Sequence, residues 1–316
     1  MTEGRVIVVA GPTASGKSAL ALALAERFRR KGQGKGMGTV INADAMQTYD
    51  AFPILTAQPS AQERARVPHA LYGVMPLSET LSAARWRTLA SSEIACCLAE
   101  GRTPILCGGS GLYLRTLMQG ISAIPDVPPA VREQANMDWQ AMGADSFRAR
   151  LAERDAAIVG RLKPGDRQRH IRAWEVVAGT GRPLSDWQSD AGTPAPWRFA
   201  TLLLAPERLW LRRRIEQRFD AMLDQGVLAE VRAVFDGSPD LGWPGLKAHG
   251  APELFHHFRG ELPLEKARQI AIDHTRQYAK RQMTWFRHQL TPDLVVEPQS
   301  AQSLDTVAQY LDKMEV

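Results

Sequence analysis

An apolar run, Val6-Ile7-Val8-Val9-Ala10, leads into Gly11-Pro12-Thr13-Ala14-Ser15-Gly16-Lys17-Ser18, and a helix-forming run beginning Ala19-Leu20-Ala21-Leu22 follows. The eight central residues fit the phosphate-loop pattern G-x-x-x-x-G-K-[ST], and the flanking strand and helix are the context that pattern needs. The glycines let backbone N–H groups curl around an anion. Lys17 adds a point charge, and the helix amino terminus adds its positive dipole end. Ser18 offers a hydroxyl to a magnesium ion. The competing reading is a glycine-rich turn that binds nothing. The loop specifies a diphosphate or a triphosphate, and leaves open which one and what is done to it.

Five short apolar runs read as buried parallel strands: Arg5–Ala10, Thr39–Ala43, Pro104–Cys107, Phe199–Ala205 and Leu294–Glu297. Helical stretches separate them, which predicts an α/β fold: a phosphate-loop-type, doubly wound parallel sheet. The third and fourth strands are too far apart for one crossover. Residues 124–197 are therefore expected to be an inserted small all-helical domain, with residues 1–123 and 198–316 forming the core. The insertion opens on Pro125-Asp126-Val127-Pro128-Pro129 and closes on Thr193-Pro194-Ala195-Pro196. Inside it, Val131–Met142 and Ser146–Leu162 read as helices. Long helices are expected over Glu207–Gln225 and Leu264–Gln289, and a closing one over Ser303–Met314. Lys31–Gly38 reads as a connector.

Composition enters through what it excludes. The 316 residues are 44% hydrophobic and 23% charged, enough for a sizeable core. No run of 18 apolar residues is present, so no membrane span is expected. Met1–Arg5 runs straight into a strand without a signal-peptide layout. Three cysteines without a zinc spacing suggest a reduced, cytosolic protein with buried thiols. The net charge of +5 and pI of about 9.3 permit a polyanionic partner. The basic residues cluster: eight Lys/Arg against three acids over Arg148–Arg172, and six against one over Lys266–Arg287. The plain reading of each cluster is a solvated helix face; beside a phosphate loop, a polyanion contact becomes the alternative. Trp285-Phe286 could stack on a base, although core packing is the commoner use of such a pair.

Asn42-Ala43-Asp44-Ala45-Met46-Gln47 follows the second strand, and carboxyl ends of strands line the ligand crevice of a doubly wound sheet. Asp44 is thus a candidate magnesium-associated carboxylate, a candidate general base, or a plain helix cap. Cys107-Gly108-Gly109-Ser110-Gly111-Leu112-Tyr113-Leu114 ends the third strand in a turn small enough for a ligand to approach. No strand ends in the carboxylate and switch segments of a nucleotide hydrolase.

Taken in order, these segments resemble the tRNA dimethylallyltransferase family. The resemblance runs through Gly11–Ser18, Asn42–Gln47, Thr56-Ala57-Gln58-Pro59-Ser60, Pro68-His69, Gly108–Leu114, Asp166–Arg172 with Glu175-Val176, and Arg214–Met222. It ends in Thr275-Arg276-Gln277-Tyr278-Ala279-Lys280-Arg281-Gln282-Met283-Thr284-Trp285. It implies transfer of a dimethylallyl group from dimethylallyl pyrophosphate to N6 of the adenosine 3′ of the anticodon. It implies pyrophosphate binding by Gly11, Pro12, Thr13, Ala14, Ser15, Gly16, Lys17 and Ser18, with Mg2+ on Ser18. Asp44 is implied as the base, Arg218 as a diphosphate ligand, and Ser110 as a neighbour of the acceptor amine. The implied tRNA contacts are Asp44, Ala45, Met46, Gln47, Ser110, Arg132, Gln168, Arg169, His170, Ile171 and Arg172, with the insertion gripping the anticodon stem-loop. The implied protein is a cytoplasmic monomer without an obligate protein partner. Departures from the family pattern occur at Leu55-Thr56-Ala57-Gln58, at Gly250-Ala251-Pro252 and at Ala45. The rival readings are an ATP-dependent small-molecule or nucleotide kinase, and an RNA-binding module that uses the loop structurally.

Overall fold

A computed structural model of the chain describes residues 4–31, 37–190, 192–300 and 303–313. It divides into two compact units, one of Met1–Met118 with Ala195–Val316 and one of Gln119–Pro194. Unit 1 begins with β1 Arg5–Ala10, α1 Lys17–Lys31, β2 Gly38–Asn42, α2 Ala61–Arg66, β3 His69–Ala70, α3 Ala83–Ala99, β4 Thr103–Gly108 and α4 Gly111–Gln119. Unit 2 supplies α5 Pro129–Ala152, α6 Ala156–Arg161, α7 Arg167–Thr180 and α8 Leu184–Ser189. Unit 1 resumes with β5 Arg198–Leu204, α9 Arg208–Asp224, α10 Val227–Asp236, α11 Ala251–Phe258, α12 Leu264–Gln289, β6 Leu294–Val296 and α13 Ser303–Lys313.

The six strands form one parallel sheet in the order β3-β2-β4-β1-β5-β6. Central β1 pairs Val8 with Leu106 on one side and with Thr201 on the other. Because side chains alternate across a strand, one apolar run serves two cores. Val6, Val8 and Ala10 pack with Trp86 of α3, Leu114 of α4 and Leu254 of α11. Ile7 and Val9 face Leu20, Leu24 and Phe28 of α1 and Val307 and Leu311 of α13. Helices thus cover both faces, as the doubly wound reading requires. β3 was absent from the sequence reading because it is two residues long and only half-buried, so it carries no apolar run. Of the connector at Lys31–Gly38, residues 32–36 lie outside the described residues.

Unit 2 is all-helical around Phe147, Leu151, Trp174 and Val176. Phe147 and Trp174 meet with ring centroids 5.5 Å apart. The single helix expected over Ser146–Leu162 is two. Its first part continues α5 past a break at Gly143 (φ 74°), and Asp155 starts α6 by accepting from the Ile158 N–H at 3.0 Å. A second correction concerns the thiols: Cys97 and Cys107 are buried, but Cys96, one helical step round α3, is exposed. No described helix is long and apolar enough to cross a membrane.

Candidate active site

The loop between β1 and α1 is built by backbone conformation. Ala14 and Gly16 take left-handed φ values of 62° and 88°, and the Ser15 N–H donates back to the Pro12 carbonyl. A β-carbon on Gly16 would meet no space problem, so glycine serves conformation there. Ser15 is fully buried, and its Oγ has no hydrogen-bond partner.

Thr13 through Ser18 line a cleft of about 900 Å3 together with Asp44, Gln47, Thr56 and Arg218. Two cations converge on it. Lys17, only 9% exposed, donates to the Pro12 carbonyl at 2.7 Å. Its ammonium is held below the ordinary lysine range chiefly by desolvation, with Arg218 adding repulsion and Cys107 and Asp44 opposing it. Arg218, on α9, donates to Thr13 Oγ1 at 2.9 Å and to the Thr56 carbonyl at 3.3 Å. Desolvation lowers its pKa too, and Asp44 offsets part of that. Among the described residues neither cation has a carboxylate within the 4.0 Å of an ion pair. Two desolvated cations with no carboxylate in ion-pair contact, and only the more distant Asp44 charge between them, form a ready anion site.

Asp44 is held by a local network. The buried Asn42 side chain accepts from the Asp44 N–H at 2.8 Å and donates to the Asp44 and Leu71 carbonyls. Asp44 Oδ1 accepts from the Met46 N–H at 3.0 Å. The helix-cap reading of Asp44 does not hold as stated: Ala45 is the cap of the short turn Met46–Thr48, without a side-chain cap bond, and Asp44 braces that turn from one residue earlier. Yet the same residue lines the large cleft and also an adjoining small cavity of about 70 Å3, which is continued by Met46, Leu55, Phe219, Met222, His249 and Tyr278. Thr13, Asp44, Thr56 and Arg218 border both spaces, so a ligand anchored in the cleft has Asp44 at its inner end. Burial raises the Tyr278 phenol and lowers the His249 imidazole, keeping both neutral near pH 7.

Ser110 lines neither space. Its hydroxyl accepts from the Ala45 N–H at 2.9 Å, and so it holds the Asp44 turn from behind. Ala45 and Met46 are half-buried; Gln47 reaches across to the Thr56 and Ala57 carbonyls at 3.0 and 2.7 Å. In unit 2, Arg132, Gln168 and Arg169 are exposed, and Arg132 and Arg172 lie 3.8 and 3.3 Å from the buried Glu175 carboxylate. His170 and Ile171 depart from expectation: at 0% and 7% exposed they belong to the unit 2 core. Their position on the inward face of α7, with His170 Nδ1 bonded to the Asp166 carbonyl, gives these side chains no surface for RNA.

Two anchoring residues received no site role in the sequence reading, although Gln282 stands in the Thr275–Trp285 segment that carries the resemblance. Gln282 of α12, 5% exposed, accepts from the Thr13 N–H at 2.8 Å and donates to the Gly109 carbonyl at 3.0 Å. It ties the phosphate loop to the Gly108–Gly111 turn. Glu230 of α10 accepts from the Ile54 and Leu55 N–H groups at 2.6 and 2.8 Å, fixing the loop that carries Thr56. Each partner lies more than 170 residues away in the chain, so no local spacing could have revealed either. Trp285 lies over Gly111, where an added β-carbon would come 2.1 Å from its ring, and is thus a packing residue.

The basic face of α12 is partly neutralised. Arg276 pairs with Glu216 and Asp273, and Arg268 with Asp220. Lys280 and Arg287 remain exposed and border a groove of about 490 Å3 with Arg208 and Arg212 of α9.

The family model described as IPP transferase matches residues 47–289. A tRNA dimethylallyltransferase of Rhodospirillum centenum is 51% identical over 288 residues, covering 90% of this chain and 89% of the relative. One from Granulibacter bethesdensis is 49% identical over 289 residues, covering 91% and 88%. Among solved structures, a eukaryotic dimethylallyltransferase acting on tRNA superposes with a TM-score of 0.80 at 26% identity, covering 98% of this chain and 77% of that one. The tRNA isopentenylpyrophosphate transferase of Bacillus halodurans gives 0.68 at 27% identity, covering 99% and 96%. A profile match across most of the chain and near-half identity over nine-tenths of it leave one conclusion: the chain belongs to the IPP transferase family of tRNA dimethylallyltransferases.

Proposed function

We propose that this protein transfers the dimethylallyl group of dimethylallyl pyrophosphate to N6 of the adenosine 3′ of the anticodon, position 37, in tRNA. The observation that carries the reading is the pair of desolvated cations, Lys17 and Arg218, neither in an ion pair, on a cleft that shares Thr13, Asp44, Thr56 and Arg218 with an adjoining cavity lined in part by Leu55, Ile215, Phe219 and Met222. The relatives named above supply the reaction class.

The chemistry follows from charge. An adenine amine is a weak nucleophile, so the barrier falls chiefly by stabilising the departing pyrophosphate. The carbon–oxygen bond to pyrophosphate breaks as the bond from N6 to the allylic carbon forms, and the amine proton leaves to a base. Lys17, Arg218, the loop N–H groups and the amino end of α1 face the oxygens that gain charge. Each such contact is worth about 2.7–4 kcal/mol of barrier. Asp44 is the base, oriented by the Met46 N–H on one oxygen; proton removal contributes roughly 10²–10⁴-fold.

Magnesium fits this site. Ser18 is exposed on the cleft, and the neighbouring Cys107 thiol, hydrogen-bonded to it, is pushed up to about 11 by burial and stays neutral. The available donors are then hard oxygens, from Ser18, Asp44 and the diphosphate itself, which suit that ion. When bound, magnesium would neutralise pyrophosphate charge.

The acceptor adenine must leave its stack to reach Asp44, which is cheapest for a loop nucleotide. Lys280, Arg281 and Arg287 of α12, and Arg132, Gln168, Arg169 and Arg172 of unit 2, offer exposed or half-exposed contacts for tRNA phosphates. The protein acts as a cytoplasmic monomer on this reading. The test is incubation with unmodified tRNA and radiolabelled dimethylallyl pyrophosphate, followed by digestion to nucleosides. Label in N6-dimethylallyladenosine is the expected result. Absence of label, with ATP consumed in the absence of RNA, would favour the kinase reading.

A further inference from the structure

We propose that Glu175 is a positioning residue for tRNA: its buried carboxylate gathers Arg132 and Arg172, from two helices, into one paired element that grips the phosphodiester backbone. The inference rests on the tRNA-acceptor reading above. It adds a residue that touches no RNA and sets the geometry of two that do.

All three residues lie within unit 2. Glu175 and Arg172 sit three positions apart on α7, and Arg132 sits on α5, which packs against α7. The Glu175 side chain is 8% exposed, against 55% for Arg132 and 41% for Arg172. Both arginines reach the same carboxylate oxygen, Oε2: Arg132 through Nε at 3.8 Å, and Arg172 through Nη1 at 3.3 Å. Two like charges on separate helices repel each other. The shared anion holds them side by side and leaves part of each guanidinium open to solvent. Their remaining N–H groups form planar forks, which suit phosphate oxygens. One acid against two bases leaves the trio with a net positive charge.

Stability alone gives no reason for this acid. Arg169, exposed on the same helix, pairs with the half-buried Asp166 at 3.2 Å, a contact of the kind that contributes little. Glu175 instead gives up most of its hydration, and a buried carboxylate returns that cost only when its partners are well placed. Removing one partner of a buried pair is destabilising when the other charge is left buried and unpaired. Here the buried partner is the acid, and both arginines are half in water, so removing the acid strands no buried charge. Glutamine at this position keeps the size and an oxygen acceptor. Glu175→Gln should therefore fold and melt no lower than the wild type.

The experiment measures tRNA binding and transfer kinetics at several salt concentrations for the wild type, Glu175→Gln, Arg132→Gln and the Glu175→Gln/Arg132→Gln double variant, with a thermal melt of each. Charge alone makes one prediction: deleting an acid beside a polyanion tightens binding and steepens its salt dependence. Lost positioning makes the opposite one. Glu175→Gln should raise KM for tRNA by about fivefold or more, with kcat at saturating tRNA nearly unchanged. It should also lower the slope of log K against log salt by about 1. Arg132→Gln should weaken binding in the wild type and have much less effect in the Glu175→Gln background, because the two residues act as one unit. Unchanged or tighter binding by Glu175→Gln, or an equal effect of Arg132→Gln in both backgrounds, would overturn the proposal and leave the acceptor reading intact. A Glu175→Gln protein that melts well below the wild type would overturn it as well, since the acid would then be structural. If the wild type neither binds nor modifies tRNA, the acceptor reading fails and the proposal with it.

Discussion

Lys17→Met should raise the stability of the ligand-free protein and sharply reduce its activity. Lys17 is 9% exposed, and its ammonium has no carboxylate within ion-pair distance among the described residues and lies close enough to Arg218 to be repelled by it. Desolvating an ion costs several kcal/mol. Its hydrogen bond to the Pro12 carbonyl returns about 1.5–3 kcal/mol. Methionine removes both contributions. The Pro12 carbonyl is not left bare, because the Ser15 N–H still donates to it. A net gain of about 1–2 kcal/mol follows, which is about 2–4 °C in melting temperature per kcal/mol for a domain of this size. Pyrophosphate reverses the order. At a hundred times its Kd it should stabilise the wild type by about 2.7 kcal/mol, and the variant much less. Prenyl transfer should fall by about 10²–10³-fold. The pH dependence has a definite sign. Burial lowers the folded-state pKa of Lys17, so the unfolded chain holds the extra proton between that value and the ordinary lysine value of 10.5. The wild type therefore gains stability relative to the variant as pH rises through that alkaline window, and the gap closes. Thermal melts at several pH values, with and without pyrophosphate, check each point. A variant that melts below the wild type without ligand, yet keeps the full pyrophosphate shift, would refute the anion-site argument.

Three other outcomes follow from the same geometry. Asp44→Asn keeps an oxygen for the Met46 N–H but cannot take a proton, so tRNA and donor binding should survive while turnover drops by roughly 10²–10⁴-fold; near-normal turnover would remove Asp44 from the base role. Gly109→Ala places a β-carbon 2.1 Å from Gln282 Nε2 and should break the tie between the loop and α12. A loss of about 1–3 kcal/mol in stability, with weaker donor binding, is expected from denaturation and titration; an unchanged donor Kd would mean the tie does not shape the loop. Arg287→Gln should weaken tRNA binding evenly across sequences and lower the slope of log K against log salt by about 1, measured by titration at several salt concentrations. An unaltered slope would take Arg287 out of the RNA contact.

What the sequence determined and what it did not differ by the range of the interaction involved. The phosphate loop, the strand before it and the helix after it were legible because their causes are local: glycine spacing, an apolar run and an alanine–leucine repeat. The insertion was legible because the spacing between β4 and β5 exceeds one crossover, although the compact unit runs over 119–194 and not 124–197. Asp44 was legible by position, since a residue just past a parallel strand faces the crevice. β3 was not, because its two residues pair only when β2 offers Val40 and Ile41 as a template. Burial within a motif was not legible either: Arg169 and His170 are neighbours in the chain, and only packing of α7 turns one to solvent and the other to the core. The anchoring roles of Gln282 and Glu230 belong to tertiary structure alone. Hydrogen bonds across 170 or more residues leave no periodicity behind. The sequence by itself specified a loop of phosphate-binding pattern at the carboxyl end of a strand in a parallel sheet. The folded chain decided which carboxylate, which second cation and how much apolar room that loop would face.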